Sequence, residues 1–517
     1  MFKSRTFEGE NIPKLTKWLY CSSGMFRDLC YQFVSMFLLM FAQYCGIGSN
    51  ENYVAMYSVI TVIIIILRIW DGFNDPIMGF IVEKFHFKSG KYRPWIFIGA
   101  ILSSIVTVAM FWLPVHGWAY VAMFGVLYFL WDFTYTMNDI AFWSVLPSLS
   151  DKEKVRANLT TLLSIFVSIG SFAAGGLVPI LSSAMGYTIS YKIFSLIASI
   201  LYCLSQVILC IFMKERKRDA ANDESSEKMK FSEIFTVLKD NDQVRSSIIG
   251  ILLYYTGSSV LITLGLNYFY FNFGYSAAGT YQLYFTIIFA ISTLLGQAMF
   301  PILTNKFKLS KMKIFTISSI TTIIGYVLLF AYVFLDPRTF FPLMCAVGFV
   351  VFLGQTLISL ILYIMIQDSI EYNEYKFNKR RESAVFSLRA FTAKLGSSIQ
   401  QLVLYFSLLA GGLYAISNRI SQIEQEAIAQ FGDNASKVGD YVRPLADEAT
   451  SNIELWQRVV YHVGFTLVPC LLILACFIWI KKTYKITEES HSSMVKELEN
   501  RHKMNQENLK VEQNTDE

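Results

Sequence analysis

Charged side chains are scarce: Asp, Glu, Lys and Arg make up 16% of the 517 residues, against 54% hydrophobic and 16% aromatic. A water-soluble globule of this length needs a polar surface that such a chain cannot furnish, so it is an integral membrane protein. The eight cysteines include no Cys-x-x-Cys pair, and neither a disulfide framework nor a thiolate metal site is implied. Histidine is rarer still. His86, His116, His462, His491 and His502 all avoid the middle of an apolar run, which leaves no candidate for a buried imidazole proton relay. Walker, His-Glu-x-x-His and Gly-x-Ser-x-Gly sequences are missing, as is any metal-spaced Cys/His set. The chain is therefore read as a non-enzyme without a cofactor. The net charge of +5 is modest and sorted by membrane side, which argues against a nucleic-acid partner. No obligate protein partner is evident. The polar stretch Met1 to Lys17 lacks the apolar core of a cleaved signal peptide, so the first span is expected to serve as the targeting signal.

What the chain has is long apolar runs, at 19–45, 52–82, 94–114, 118–148, 157–185, 189–213, 245–272, 278–303, 313–335, 339–368, 385–415 and 456–480. An all-α polytopic protein with 12 transmembrane helices follows. Lysine and arginine gather after the even-numbered runs, for example Lys84, Lys88, Lys91 and Arg93 after the second and Lys214, Arg216, Lys217 and Arg218 after the sixth. By the positive-inside rule both termini are cytoplasmic, in a plasma (inner) membrane. Residues 1–213 form an N-terminal six-helix bundle, 214–243 a cytoplasmic middle loop, 244–480 a C-terminal bundle with an external loop at 416–455, and 481–517 a cytoplasmic tail. In the external loop, Ile420, Ile423, Ala427 and Phe431 predict an amphipathic helix that Gly432 ends. Phe231, Phe235 and Leu238 predict a short surface helix in the middle loop, and the tail from His491 is expected to be a solvated helix or disordered.

The second run carries Arg68, Asp71, Asn74 and Asp75 at i, i+3, i+6 and i+7, on one helical face. A carboxylate at mid-bilayer costs about 2.5–3.5 kcal/mol, so two are kept only where they face a cavity and a partner. A structural Arg68–Asp71 pair would account for one carboxylate; two plus an amide invite a hard cation. In the fourth run, Thr136, Asp139 and Trp143 share a face. A threonine hydroxyl can complete the shell of a small cation, while a carboxylate with an indole suits the hydroxyls and C–H face of a sugar ring. Arg27 and Asp28 open the first span, and Arg389 and Lys394 lie in the eleventh.

The stretch Arg68-Ile-Trp-Asp71-Gly-Phe-Asn74-Asp75-Pro-Ile-Met-Gly79, followed by Gly90-Lys-Tyr-Arg-Pro-Trp95, closely resembles the helix II signature of the glycoside-pentoside-hexuronide:cation symporters, the melibiose permease group of the major facilitator superfamily. That resemblance implies two pseudo-symmetric six-helix bundles. It also implies a cation at Asp71, Asn74, Asp75 and Thr136, with Na+ first and H+ second as the coupling ion. Asp28 and Asp139 would contact sugar, Trp143 would stack on it, and Lys394 would link the two sites by charge. Melibiose-type members carry a sugar-binding arginine on helix V where this chain has Ser164, and Arg389 is a candidate to take over that role. A run of charges, Asp368, Glu371, Glu374, Arg380, Arg381 and Glu382, is similar to the family's cytoplasmic gate, facing Arg156. The expected function is symport of a glycoside, pentoside or hexuronide with a monovalent cation across the lipid bilayer. A sodium-dependent lysophospholipid-type carrier and a non-transporting channel or sugar sensor are the alternatives.

Overall fold

The computed structural model describes residues 6–7, 12–85, 87, 90, 92–149, 153–213, 215–216, 237–377, 382–498 and 500–501. These residues are almost wholly helical; β pairing among them is a two-residue parallel pairing of Thr6–Phe7 with Glu215–Arg216 and an isolated bridge between Phe87 and Gly90. Each predicted apolar run becomes one long helical passage. These are α1 (Lys14–Phe41), α2 (Tyr53–Lys84), α3 (Arg93–Trp112), α4 (Gly117–Ser148), α5 (Glu153–Met185) and α6 (Tyr187–Phe212), then α7 (Asp242–Phe273), α8 (Tyr275–Pro301), α9 (Lys311–Ala331), α10 (Phe341–Phe377) and α11 (Glu382–Ala410). After α12 (Tyr414–Phe431) and α13 (Ala435–Ser451), the last passage is made of α14 (Leu455–His462), a π-helical turn Val463–Leu467 and α15 (Val468–Thr483). Ten of the passages are long and apolar enough to cross a membrane, and α11 qualifies together with α12, from which a 92° bend separates it. Passage four is less apolar because Asp132, Asn138, Asp139 and a run of Tyr and Trp interrupt it.

The passages sort into two groups. In the first, α1 packs on α5 and α6, α3 on α4 and α6, and α2 on α4; in the second, α7 packs on α11 and α15, and α10 on α8 and α9. Two helix pairs join the groups, α5 with α8 and α2 with α11. Both joints depend on a missing side chain. A Cβ at Gly72 would lie 2.5 Å from the Phe391 ring, and one at Gly279 would collide with the Pro179 carbonyl. Outward faces carry Leu, Ile, Val and Phe, as lipid contact requires. Both ends of the described chain lie on one face of the bundle, as an even number of passages demands.

Three loop expectations can be compared with the structure. The amphipathic helix ends where predicted, at Gly432 with φ +58. A second helix, α13, follows it unannounced, capped by the Asn434 side chain, which accepts from the Lys437 amide at 3.2 Å. The described part of the tail, residues 491–498, is helical and largely exposed, and it is tethered to the second bundle. His491 bonds to Glu371 and lies 3.4 Å from Asp368, while Met494 and Leu498 are buried. Phe231 and Phe235 of the middle loop lie outside the described residues; Leu238 belongs to the short helical stretch at 237–240.

Candidate functional site

Four helices converge on a cavity of about 250 Å³. α1 supplies Arg27, Asp28 and Tyr31; α2 supplies Arg68, Asp71 and Asp75; α4 supplies Trp131, Asp132, Tyr135, Thr136, Asp139 and Trp143; α11 supplies Lys394. The α4 residues Asp132, Thr136, Asp139 and Trp143 are spaced at i, i+4, i+7 and i+11, so a single helical face reaches the cavity from end to end. On α2 the spacing of Arg68, Asp71 and Asp75 does the same.

Two cations of the protein organise this cavity. The Arg27 guanidinium, buried and stacked 4.5 Å above the Phe142 ring, donates to Asp28 at 2.7 Å and to Asp139 at 2.6 Å. The Lys394 ammonium reaches across from the second bundle to Asp71 at 2.8 Å and to Asp75. One cationic centre therefore serves Asp28 and Asp139 and the other serves Asp71 and Asp75. Breaking such a buried pair by removing one partner costs about 3–5 kcal/mol, because the other charge is left stranded. Tyr31, Trp131 and Tyr135 stack on one another, with ring centroids 5.0–5.9 Å apart, to make an aromatic wall. Trp143 lies under Arg27 at 5.2 Å and stays partly exposed. Among the described residues, no three Asp, Glu, His or Cys side chains converge as metal ligands, so a cation here would also need neutral oxygens.

Asp28, Asp71, Asp75, Thr136, Asp139, Trp143 and Lys394 are thus gathered at one place, although they stand on four helices. Asn74 is fully buried behind them, its amide nitrogen 3.4 Å from Asp132. Arg389 is elsewhere. It bonds to the Tyr363 hydroxyl and lies over that ring at 4.5 Å, within the second bundle, and it does not line the cavity. Ser164 is exposed and donates to the Thr160 carbonyl of its own helix. Of the gate residues, Asp368 meets Lys311 and the Tyr484 hydroxyl (2.8 Å), and Glu371 meets His491, all within the second bundle and the tail. Glu374 is buried in the same helix, whereas Arg380, Arg381 and the side chains of Arg156 and Glu382 lie outside the described residues.

Sequence reading missed Asp132. Its signal was present: it falls four residues before Thr136, on the face already singled out. Reading also missed how the face of the bundle opposite the chain termini is shut. There the Tyr44 hydroxyl donates to Asn267 at 2.5 Å and the Gln43 amide donates to Ser417 at 2.7 Å, joining α1 and its π-helical end to the second bundle. Glu424 of α12 is fully buried and accepts from the Tyr187 amide at 2.7 Å, the Thr188 amide at 3.3 Å and the Tyr275 hydroxyl at 3.1 Å.

The sequence profile of the family described as MFS/sugar transport protein matches residues 28–432. The raffinose carrier protein of Pediococcus pentosaceus is 26% identical over 92% of this chain and 69% of its own length. The lactose permease of Lactobacillus delbrueckii subsp. bulgaricus is 26% identical over 94% and 73%, and the isoprimeverose transporter of Lactiplantibacillus pentosus 24% over 78% and 82%. Among solved structures, a bacterial homologue of the human lysosomal transporter Spinster, inward-facing and unoccupied, superposes with a TM-score of 0.54 at 16% identity, covering 91% of this chain and 97% of that one. The nucleoside transporter NupG does so with a TM-score of 0.53 at 13% identity, covering 89% and 99%. These two likenesses concern the fold alone. The profile match spans more than three quarters of the sequence, in agreement with the second-helix signature, and the chain belongs to the MFS/sugar transport protein family.

Proposed function

We propose that this protein is a secondary active symporter that couples entry of a monovalent cation, Na+ or H+, to uptake of a small glycoside by alternating access. The observation that carries the reading is the make-up of the cavity. Five carboxylates, Asp28, Asp71, Asp75, Asp132 and Asp139, line it against three cationic side chains, Arg27, Arg68 and Lys394. A space walled by buried negative charge in excess attracts a cation, and the neighbouring aromatic wall and Asp139 suit a sugar. The raffinose, lactose and isoprimeverose names of the relatives favour an oligosaccharide or glycoside substrate.

In this reading Asp71 and Asp75, helped by Asn74 and Thr136, bind the coupling ion, and Lys394 is its internal stand-in. With no ion bound, the ammonium balances the α2 carboxylates; an arriving cation competes with it and frees Lys394 to turn toward the sugar side. Each ligand then raises affinity for the other by reciprocal linkage. Both termini are cytoplasmic, the α12–α13 face is external, and the conformation is closed to the outside.

The test is uptake of labelled lactose, raffinose and isoprimeverose into vesicles holding the purified protein, with an inward Na+ gradient, an inward proton gradient, or neither. Accumulation above equilibrium is expected only with a cation gradient. Equal uptake in all three conditions, or none of any sugar, would overturn the reading. Lys394→Gln is expected to bind the cation at lower concentration yet accumulate sugar poorly, because the competitor that ties the two ligands together is gone.

A further inference from the structure

Four of the five cavity carboxylates already have an ion-pair partner: Asp28 and Asp139 share Arg27, while Asp71 and Asp75 share Lys394. Asp132 is the exception. Among the described residues it forms no ion pair, although it is only 7% exposed. Arg68, the remaining cationic side chain of the cavity, influences Asp132 and Asp71 only at longer range. The Asp132 carboxylate meets the Asn74 amide nitrogen at 3.4 Å and neighbours the Asp71 carboxylate, a second negative group.

Asn74 supplies a second, independent observation. The side chain is wholly buried, and its amide oxygen, adjoining the nitrogen that reaches Asp132, has no hydrogen-bond partner. A buried amide oxygen left unpaired costs about 1–3 kcal/mol, and a buried carboxylate without a counter-charge costs more. Both deficits lie between α2 and α4, and each is relieved by a small cation. A proton neutralises the carboxylate; a sodium ion does so too and accepts the amide oxygen as a hard ligand.

We infer that Asp132 is a binding residue for the coupling cation, acting with the Asn74 amide oxygen at a position between α2 and α4 beside the Asp71/Asp75 pair. The inference rests on the symport reading and deepens it, for it assigns the charge that the cation neutralises. Because Lys394 already occupies Asp71 and Asp75, Asp132 is the carboxylate that an incoming cation meets first, before it competes with Lys394 for that pair. It stands one helical turn from Thr136 and two from Asp139 along the same face, so neutralising it alters the field at the sugar-side carboxylate within one helix.

The experiment compares the wild type with Asp132→Asn, Asp132→Glu and Asp75→Asn in vesicles, using the sugar that the wild type accumulates. Sugar counterflow without any cation gradient reports a folded carrier; Na+-driven and proton-driven accumulation report coupling. Asp132→Asn is expected to keep counterflow and to lose cation-driven accumulation at least about tenfold, the scale of one lost charged ligand, with partial rescue in Asp132→Glu. Loss confined to the sodium arm assigns the site to Na+, and loss confined to the proton arm assigns it to H+; either supports the inference. If Asp132→Asn couples like the wild type while Asp75→Asn does not, the inference is overturned and the symport reading stands. If the wild type itself shows no cation dependence, both fall. Should Asp132→Asn lack counterflow, Asp132→Glu decides: counterflow with a shifted cation titration supports the role, and an unshifted titration overturns it.

Discussion

Asp139→Asn is expected to weaken sugar binding about 10- to 150-fold while leaving cation-induced stabilisation of the protein in place. The asymmetry between the two partners of Arg27 is the reason. Asp28 is nearly buried, and two nitrogens of the guanidinium hold it; Asp139 gives one oxygen to Arg27 and keeps 35% of its side chain exposed to the cavity. Asp139 therefore has an acceptor to spare for a sugar hydroxyl, and a hydrogen bond to a charged group is worth about 1.5–3 kcal/mol. Asparagine preserves shape and an oxygen but loses the charge. Arg27 remains paired with Asp28, so the fold is not left with an orphaned cation. Arg27→Met is a different case: it strands two carboxylates in the bundle and should lower stability by about 3–5 kcal/mol. Titration calorimetry with the transported sugar, beside thermal unfolding with and without sodium, separates these outcomes. Near-normal affinity in Asp139→Asn would remove Asp139 from the sugar site.

The residues that were legible in the sequence were those whose cost was legible. Asp71, Asp75 and Asp139 stand out because each interrupts an apolar run that a bilayer would otherwise punish, and helical spacing alone put them on common faces. Pairing was not legible in the spacing; only the family resemblance set Lys394 between the two sites. That Lys394 meets Asp71 and Asp75 across more than three hundred residues, or that Arg27 meets Asp139, depends on how four helices converge, and spacing along one helix is silent about that. Arg389 shows the limit from the other side. Its place in an apolar span has the same cost as that of Lys394, but the cost is met locally by Tyr363, and sequence cannot tell a local partner from a distant one. The first turns of the tail form the solvated helix expected, but their tether was not legible: it comes from His491 between Asp368 and Glu371, with Met494 and Leu498 beneath. Helix α13 was hidden because Pro444 sits inside it and its buried face, Val438, Val442 and Ala446, is narrow.

The second large effect concerns the α12–α13 hairpin, two of whose carboxylates cap two helices. Glu424 of α12 binds the N-terminus of α6, in the first bundle; Asp447 of α13 accepts from the Ser276 amide at 3.0 Å at the N-terminus of α8, in the second. Each target helix begins just after a glycine with positive φ, Gly186 (φ +83) and Gly274 (φ +82), where an added Cβ would press on the capping carboxylate at 3.0 Å or 2.9 Å. Helix N-termini carry unpaired amides and partial positive charge, so the hairpin staples the bundles together where the face opposite the termini closes. Burial holds the Glu424 carboxyl above the usual carboxylate range, even though the Tyr187 and Thr188 amides pull it down. The sign of the pH effect follows. A docked group with a raised pKa binds its proton more readily than the released one, so docking is strongest below the ordinary carboxylate pKa of about 4.3 and weakens as pH rises through the raised value. His116 and Lys192 line the same recess as Glu424, and Tyr275 bonds to it, so His116→Gln serves as the control for imidazole titration. Cys45, buried in that recess, is the reporter. Glu424→Ala leaves the buried Tyr187 amide and the half-buried Thr188 amide unpaired, a loss of about 1–3 kcal/mol, and is expected to speed labelling of Cys45 by an impermeant maleimide about 5- to 150-fold. Wild-type labelling should slow on acidification, and Glu424→Gln, which keeps an acceptor without the charge, should stay slow at every pH. Labelling of Cys45 that Glu424→Ala leaves unchanged would show that the hairpin rides on the carrier without holding it shut.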